Sequence, residues 1–588
     1  MPTIDVNKKE FLKHLKSSGL TMEKALLLIK GEIKGEDELF LKIDIADTNR
    51  PDLFTLEGIA RQLLSFSQKK HFTSDFLHKQ PGYKLEILPS VEKVRPFAGA
   101  FLAHGCTLNE DGLDSLIRIQ EKLGDTIGRR RRKVGIGIYD ATTIKFPVRY
   151  GAFSPESHQF TPLGSETEMT LEEILKRHPK GVEYGNTLLG AAKYPLFIDA
   201  EDKILSFPPI INSKRTGEVK VGMDYLFIEA TGTEQKAVIL SLNVLAAALS
   251  FRGAMIERIE ASYPYQTPVG RSQPVPAQLM SKPLMLRVAE AKKMLGIEID
   301  AEEISDALLR FGYEFEKSGD TFKILAPYYR SDVMHQYDVI EDLALARGYD
   351  NFSPLSLSDF TIGNILPEEE AADRVGNIFV GMGFQEIISN MLVNTSFSSH
   401  CMLEKEYPYV EVENVMSESY SGVRHWLIPS LLKVEMESSS TPYPHRIFEV
   451  GEVVIRETRG KSNHDSIRTG LSNGVNEEIH IAALLSGPGI TFNDAHRALR
   501  SLMEELSIPY ELREINHNSF IKGRCGAIEI AGSKKGIIGE IFPEVLSRWS
   551  IKMPVSVFEI TQPPALLKRH KGTKAQRHRG TEAQRNKS

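Results

Sequence analysis

Cysteine is scarce in this chain, with three in 588 residues: Cys106, Cys401 and Cys525. An odd and widely spaced set gives neither a disulfide framework nor a thiolate zinc site, and it suits a reducing, cytoplasmic setting. Long apolar runs are missing too. The longest, 237–251, is interrupted by Ser241 and Asn243 and followed by Arg252. It falls short of the roughly 18–20 apolar residues a membrane span requires, so a buried helix and no membrane are expected. The N-terminal MPTIDVNKKEFLKHL has charges but no apolar stretch behind them, unlike a secretory leader. There is no GxxxxGK[ST] phosphate loop, no GxSxG or HExxH, and no paired CxxC; GIG at 135–137 is not a dinucleotide fingerprint. Nor is there an excess of positive charge. Lys and Arg number 72 against 78 Asp and Glu, a net charge of −6. That balance argues against sequence-independent DNA binding, which runs on phosphate neutralisation, while leaving room for a local nucleic-acid face.

What is present is ordinary globular material, 41% hydrophobic and 26% charged. At about 100–200 residues per domain the length implies three to five domains. Residues 1–83 read as a small α/β unit. LFLKIDIAD alternates at period two, TNRPDL turns, and 56–66 has helical spacing. Residues 84–265 read as a larger mixed α/β domain, with strands expected at KLEIL, RPFAGAFLAHGC, VGIGIY and DYLFIEAT and with Thr233 capping the helix through 237–251. SYPYQTPVGRSQPVP, with four prolines, is a stiff connector. It opens a helical unit, 266–352, in which Asp300 and Glu303 form a box-like helix start and Gly312 a stop. Residues 366–562 begin with a long amphipathic helix ending near Gly383 and continue as mostly antiparallel strands, an α+β pattern. The tail, 563–588, repeats RHKGTKAQ as RHRGTEAQ and has no apolar residue larger than Ala from Lys568 onward. It is read as disordered, either a basic arm for RNA or an incidental solvated extension.

Two clusters carry chemistry. In PYYRSDVMHQYDVIEDLALARGYDNF, Asp338, Glu341 and Asp342 stand at i, i+3 and i+4, which puts their carboxylates along one helical face, with Asp332 where the chain enters that helix. Oxygen donors without thiolate or clustered imidazole suit a hard cation such as Mg²⁺; the competing reading is that Asp332 caps the helix and the others favour its dipole. In IGRRRRKVGIGIYD, five consecutive cations, Arg129 to Lys133, adjoin a glycine-broken strand. They could contact phosphates or form a solvated loop.

IADTNRPDLFTLEGIARQL (45–63) resembles the N-terminal signature of the phenylalanyl-tRNA synthetase β-subunit family. APYYRSDVMHQYDVIEDLALARGYDNF (326–352) resembles that family's magnesium-site segment over 27 residues, a specific match. FPPIINSKRTGEV, EVENVMSESYSGVRHWLIPSLL, RIFEVGEVV and GEIFPEVL are similar to further family segments, and together they span about residues 1–562. The short form, without an OB-fold insertion near residue 40 or a C-terminal ferredoxin-like domain, resembles archaeal and eukaryotic-type subunits. The repetitive tail has no counterpart.

The resemblance implies a multidomain α/β and α+β architecture: an N-terminal α/β unit, an editing domain (84–265), a winged-helix-like magnesium-site unit, and a degenerate class II synthetase-like antiparallel-sheet domain. It implies an α₂β₂ ligase that joins phenylalanine to tRNA(Phe), with ATP and phenylalanine bound mainly by the α subunit and mischarged tyrosyl-tRNA hydrolysed by the β subunit. Residue by residue, the metal ligands carry over to Asp332, Asp338, Glu341 and Asp342. The editing pocket maps around Pro208, Pro209, Asn212, Ser213, Thr216 and Glu229, with no catalytic residue assigned. Arg446 sits where a class II arginine motif would be, but GIIGEIFPEVLSRWSIKMPV lacks the glycine-rich-then-arginine pattern that would match ATP phosphate charge. Residues 366–562 are therefore expected to be a platform for the α subunit, with Ile378, Phe379, Met382 and Phe384 as candidates for buried interface positions, the competing reading for each being ordinary core of the domain itself. Two other readings stand beside this one: a non-catalytic nucleic-acid-binding protein built on the helix pair at 284–311, and a free-standing aminoacyl-tRNA hydrolase.

Overall fold

The computed structural model describes residues 2–69, 75–280, 282–357, 361–404, 409–438, 440–456 and 474–563. The repetitive tail lies outside these residues. The chain separates into two compact units, Met1–Ser356 and Leu357–Ser588.

Among the described residues, three larger sheets and a two-stranded ribbon, Gln159–Phe160 with Met169–Thr170, build the first unit. The N-terminal sheet is antiparallel, with Phe40–Ile45 between Thr3–Asn7 and Gly31–Glu36. Its period-two pattern buries Leu41, Ile43 and Ile45 on one face. Helix Leu56–Gln68 packs behind it, started by Thr55, whose hydroxyl accepts the Gly58 N–H. Leu284–Arg287, Thr321–Leu325 and Glu314–Ser318 form a second antiparallel sheet, covered by helices Val288–Leu295, Ala301–Arg310 and Gln336–Arg347. Asp300 caps the second of these through the N–H groups of Glu302 and Glu303, and Gly312 follows the helix end at φ +76°. Ile4, Ile43, Leu63, Leu286, Phe322 and Leu343 belong to one continuous core. These segments, distant in sequence, thus fold around a common interior.

The largest sheet has ten strands. From its middle to one edge it runs Val148–Phe153, Tyr83–Ile87, Met255–Thr267, Phe97–His104, Tyr225–Gly232, Val134–Asp140. All four strands expected between 84 and 232 are present. The apolar run forms helix Gln235–Phe251, with Leu242 and Leu245 fully buried and Asn243 buried between the carbonyls of Ala277 and Tyr328. Thr233 does not cap it. The preceding strand ends at Gly232, the Thr233 N–H bonds the Lys133 carbonyl just beyond it, and Glu234 takes the cap position without a side-chain bond.

A seven-stranded, mostly antiparallel sheet organises the second unit, in the order Gln385–Glu386, His445–Arg456, Val475–Ser486, Val555–Thr561, Ser533–Ile541, Phe520–Ile530, Glu511–Glu514. Alternation along Val475–Ser486 sends Ile481, Ala483 and Leu485 to a core with helices Pro367–Gly381 and Phe492–Glu505. Ala482 and Leu484 go to the opposite core with Ile428–Glu437 and Pro543–Arg548. Phe379 stacks on Phe448 at 4.5 Å, and Phe384 is buried beside it. Both serve this unit's own interior. Ile378 and Met382 are half-buried against the same core and also line an open surface groove with Glu370, Asp373, Arg374 and Ser501.

Candidate functional site

A cavity of about 170 Å³ opens beside the ten-stranded sheet, lined by Gln120, Arg131, Gly135, Ile136, Leu163, Lys180, 207–212 and Glu229. Its floor is built by register. Glu229 lies in a central strand, opposite Ala100 on one side and Gly137 on the other. A side chain at 137 would not fit: a Cβ there would stand 2.1 Å from the Tyr139 hydroxyl and 2.4 Å from Glu229 Oε1. A Cβ at Gly135 would meet the Pro209 ring at 2.6 Å. The glycines that break the strand pattern at 135–137 are thus what lets the Pro208–Pro209 segment and a buried carboxyl share this space.

Glu229 is 2% exposed. Its Oε1 accepts the Tyr139 hydroxyl at 2.9 Å, and its Oε2 is buried without a partner. Burial pushes the carboxyl up to about 8, against the smaller downward pull of the Tyr139 bond and of Arg95. At neutral pH the group is mostly a neutral acid, able to donate as well as accept a hydrogen bond. Arg95, itself 1% exposed, ties this strand to the cation run: it donates to the Thr231 hydroxyl and carbonyl and to the Arg132 carbonyl.

Of the six residues expected at the pocket, the structure brings Pro208, Pro209, Asn212 and Glu229 to one cavity. Asn212 also donates to the Ile138 carbonyl at 3.2 Å. Ser213 and Thr216 are buried just behind, around the short helix Lys214–Gly217, and do not line it. Sequence reading missed Tyr139, Gln120, Lys180 and Arg131. Arg131 donates to the Pro209 and Ile210 carbonyls, both at 3.1 Å, and stacks on Tyr184 at 4.0 Å. The cation run did carry a signal for Arg131, but its alternatives were phosphate or solvent, not the cavity wall.

The four acids are placed differently from a single helical face. Asp332 takes a two-pronged contact from Arg330, with 2.8 and 2.6 Å bonds, and the third edge of that guanidinium reaches Asp342 at 3.0 Å. Tyr313 donates to the same Asp342 oxygen at 2.6 Å. Arg330 is 4% exposed, and Arg50, paired to Asp52, stands 3.8 Å from Asp332. Burial alone would raise the Asp332 carboxyl, but Arg330 and Arg50 outweigh it and hold it low. Asp338 turns back on its own helix start, accepting the N–H groups of Met334 and His335 at 2.8 and 2.7 Å. It is Asp338 with His335, and not Asp332, that caps this helix. Glu341 points outward to Lys30. Adjacent positions on a helix differ by about 100°, so Glu341 and Asp342 cannot share a target without rearrangement. The all-oxygen donor set has the chemistry for a hard cation, yet in this arrangement the acids do not converge. Among the described residues, no group of three or more His, Cys, Asp or Glu is placed to hold a metal ion.

Comparison with known proteins bears on both regions. Residues 355–562 match the family described as the phenylalanyl tRNA synthetase beta chain CLM domain, and 284–349 match the tRNA synthetase B5 domain. The chain is 36% identical to the phenylalanine–tRNA ligase beta subunit of Pyrococcus abyssi, over 95% of this chain and 99% of that protein. It is 38% identical to that of Borrelia hermsii, over 90% and 92%. The crystal structure of an N-terminal fragment of the Pyrococcus horikoshii phenylalanyl-tRNA synthetase beta subunit superposes with a TM-score of 0.54 at 35% identity, covering 59% of this chain and all of the fragment. The fold and these relatives define an aminoacyl-tRNA synthetase subunit. Within that class the chain belongs to the phenylalanine–tRNA ligase β-subunit family. Among the described residues, no helix is long and apolar enough to cross a membrane.

Proposed function

We propose that this chain supports ATP-dependent attachment of phenylalanine to tRNA(Phe) as the β partner of an α subunit in a class II α₂β₂ enzyme, and that the cavity over Glu229 clears tyrosine attached in error. The single observation that carries the second part is the unpartnered Oε2 of a neutral, buried carboxyl at the floor of the cavity. A pocket selecting phenylalanine excludes tyrosine poorly, because a hydroxyl adds little volume. A second pocket with a polar group that would otherwise stay unsatisfied discriminates strongly in the other direction. Glu229, held by Tyr139 against the sheet, offers that group to a phenolic hydroxyl. The ester would then lie toward the Pro209–Asn212 wall, where Asn212 and the flanking backbone position it and attacking water reaches it from the open side.

The groove containing Ile378 and Met382 is the proposed seat for the α subunit. Divalent-ion binding by Asp332, Asp338, Glu341 and Asp342 belongs to the same proposal for the assembled enzyme. It would require Asp338 to leave its cap and Glu341 to leave Lys30. The test is aminoacylation with and without an added α chain, followed by deacylation of preformed tyrosyl-tRNA. The lone chain should be silent in amino-acid-dependent pyrophosphate exchange; activity there would overturn the division of labour. A wild-type enzyme unable to deacylate tyrosyl-tRNA would overturn the editing assignment.

A further inference from the structure

The cation run 129–133 divides its labour unevenly. Arg131 is spent on the cavity wall, and Lys133 pairs with Glu234. Arg129, Arg130 and Arg132 are exposed and have no acidic partner among the described residues. Three side chains of one sign are thus left facing solvent within two residues of a side chain that lines the cavity.

The backbone that presents them is costly. Arg129, Arg130 and Arg131 have φ of +47°, +53° and +62°. The left-handed helical conformation costs an L-residue about 1–2 kcal/mol. Three in succession persist only because the surroundings fix them. The N–H groups of Gly128, Arg130, Arg131 and Lys133 bond the carbonyls of Leu123, Asp125, Gly124 and Gly128. Gly128 itself has no room for a side chain, since a Cβ would stand 2.3 Å from the Gly124 carbonyl and 2.4 Å from that of Val134. Arg95 clamps the Arg132 carbonyl from below. The turn is therefore a rigid mount. A solvated loop of the same composition would relax to right-handed conformations and spread its charges.

We propose that Arg129, Arg130 and Arg132 form a phosphate-binding rim that seats the single-stranded 3′ end of an RNA and so delivers its terminal ester to the cavity beneath. The inference rests on the editing reading for its purpose and on the unpaired, preorganised cations for its chemistry. Guanidinium forks suit phosphate oxygens, and holding them in place in advance lowers the ordering cost of binding. Because the rim follows the backbone and not the bases, the contact is sequence-independent and salt-dependent. Arg131 is a positioning residue: it fixes the rim to the Pro209–Ile210 wall.

The test uses the full chain with its α partner and two probes, a single-stranded RNA ending in CCA and preformed tyrosyl-tRNA. In the R129A/R130A/R132A variant the dissociation constant of the RNA should rise about tenfold near physiological salt, and the slope of log K against log salt should flatten by about 2. For tyrosyl-tRNA the half-saturating concentration should rise with little change in the saturated rate. The R129K/R130K/R132K variant keeps the charge and should recover most of the RNA affinity. An unchanged dissociation constant and salt slope in the alanine variant would overturn the proposal, as would a lysine variant no better than alanine. A wild-type enzyme that loses RNA affinity on alanine substitution but never deacylates would sink the editing reading and leave the rim standing.

Discussion

The hydroxyl of Tyr139 donates to one oxygen of Glu229, a residue that lines the cavity, and leaves the other oxygen buried with no hydrogen-bond partner. The two residues are 90 positions apart and meet because neighbouring antiparallel strands pair Phe227 with Tyr139 and Glu229 with Gly137. An orphan polar group of this kind costs stability, and a ligand hydroxyl that satisfies it recovers part of that cost.

Glu229→Ala should therefore lower deacylation of tyrosyl-tRNA by about 10- to 100-fold in kcat/KM, from the loss of one or two buried hydrogen bonds. Residual turnover of an aromatic ester without a ring hydroxyl should change less. Equal losses for both esters would mean that Glu229 does not read the hydroxyl.

The same carboxyl predicts a pH dependence of stability. Its ordinary value of 4.5 rises to about 8 in the folded chain, so the native state holds a proton the unfolded chain has released. Stability should fall as pH rises from about 4.5 to about 8, by at most about 1.4 kcal/mol per pH unit, and level off above that window. Denaturant titrations across it should show the slope in the wild type and its loss in Glu229→Gln.

Asn212→Ala should slow clearance of tyrosyl-tRNA, because the amide that joins the cavity wall to the Ile138 carbonyl is removed. Wild-type deacylation by this variant would remove Asn212 from the site.

Arg330→Met should destabilise the first unit by about 3–5 kcal/mol, since it removes the guanidinium bonded to both Asp332 and Asp342 in the interior and leaves only the more distant Arg50, 3.8 Å from Asp332, to oppose their charge. Calorimetric unfolding checks it. The double change R330M/D342N, which also removes one of the stranded charges, should recover part of the loss.

Asp338→Ala should cost about 1 kcal/mol through the lost helix cap. In the assembled enzyme it should also weaken Mg²⁺ binding by calorimetry, and unchanged binding would reject Asp338 as a ligand.

Much of this was readable in advance where short-range periodicity decides. Alternation in LFLKIDIAD, the apolar run in HIAALLS, the turn at Pro51 and the Asp300 cap all depend on neighbours within a few residues. The cap at Thr233 failed because a backbone hydrogen bond to Lys133, a hundred residues earlier, ties that residue to the end of the strand pair. The four acids failed as a face because spacing gives direction along a helix but not what stands opposite. Arg330 and Tyr313 draw Asp342 inward, while Lys30 draws Glu341 outward. Phe379 and Phe384 could be read either as buried interface positions or as ordinary core, and the structure places both in the core, since an amphipathic helix declares its apolar stripe but not whether its own sheet or a partner covers it.

By itself the sequence determined many of the strands and helices, the want of any disulfide framework, and the presence of a run of acids and a run of cations, since each follows from residue type and local spacing; the proline-rich 262–276, read as a connector, instead forms paired strands. Only the tertiary structure decided that Glu229 would be buried, neutral and half-satisfied, that three of five cations would be left unpaired on a left-handed turn, and that Arg330 would stand between two aspartates. Burial and long-range pairing set the energy of a charge, and both depend on residues that meet only when the chain has closed on itself.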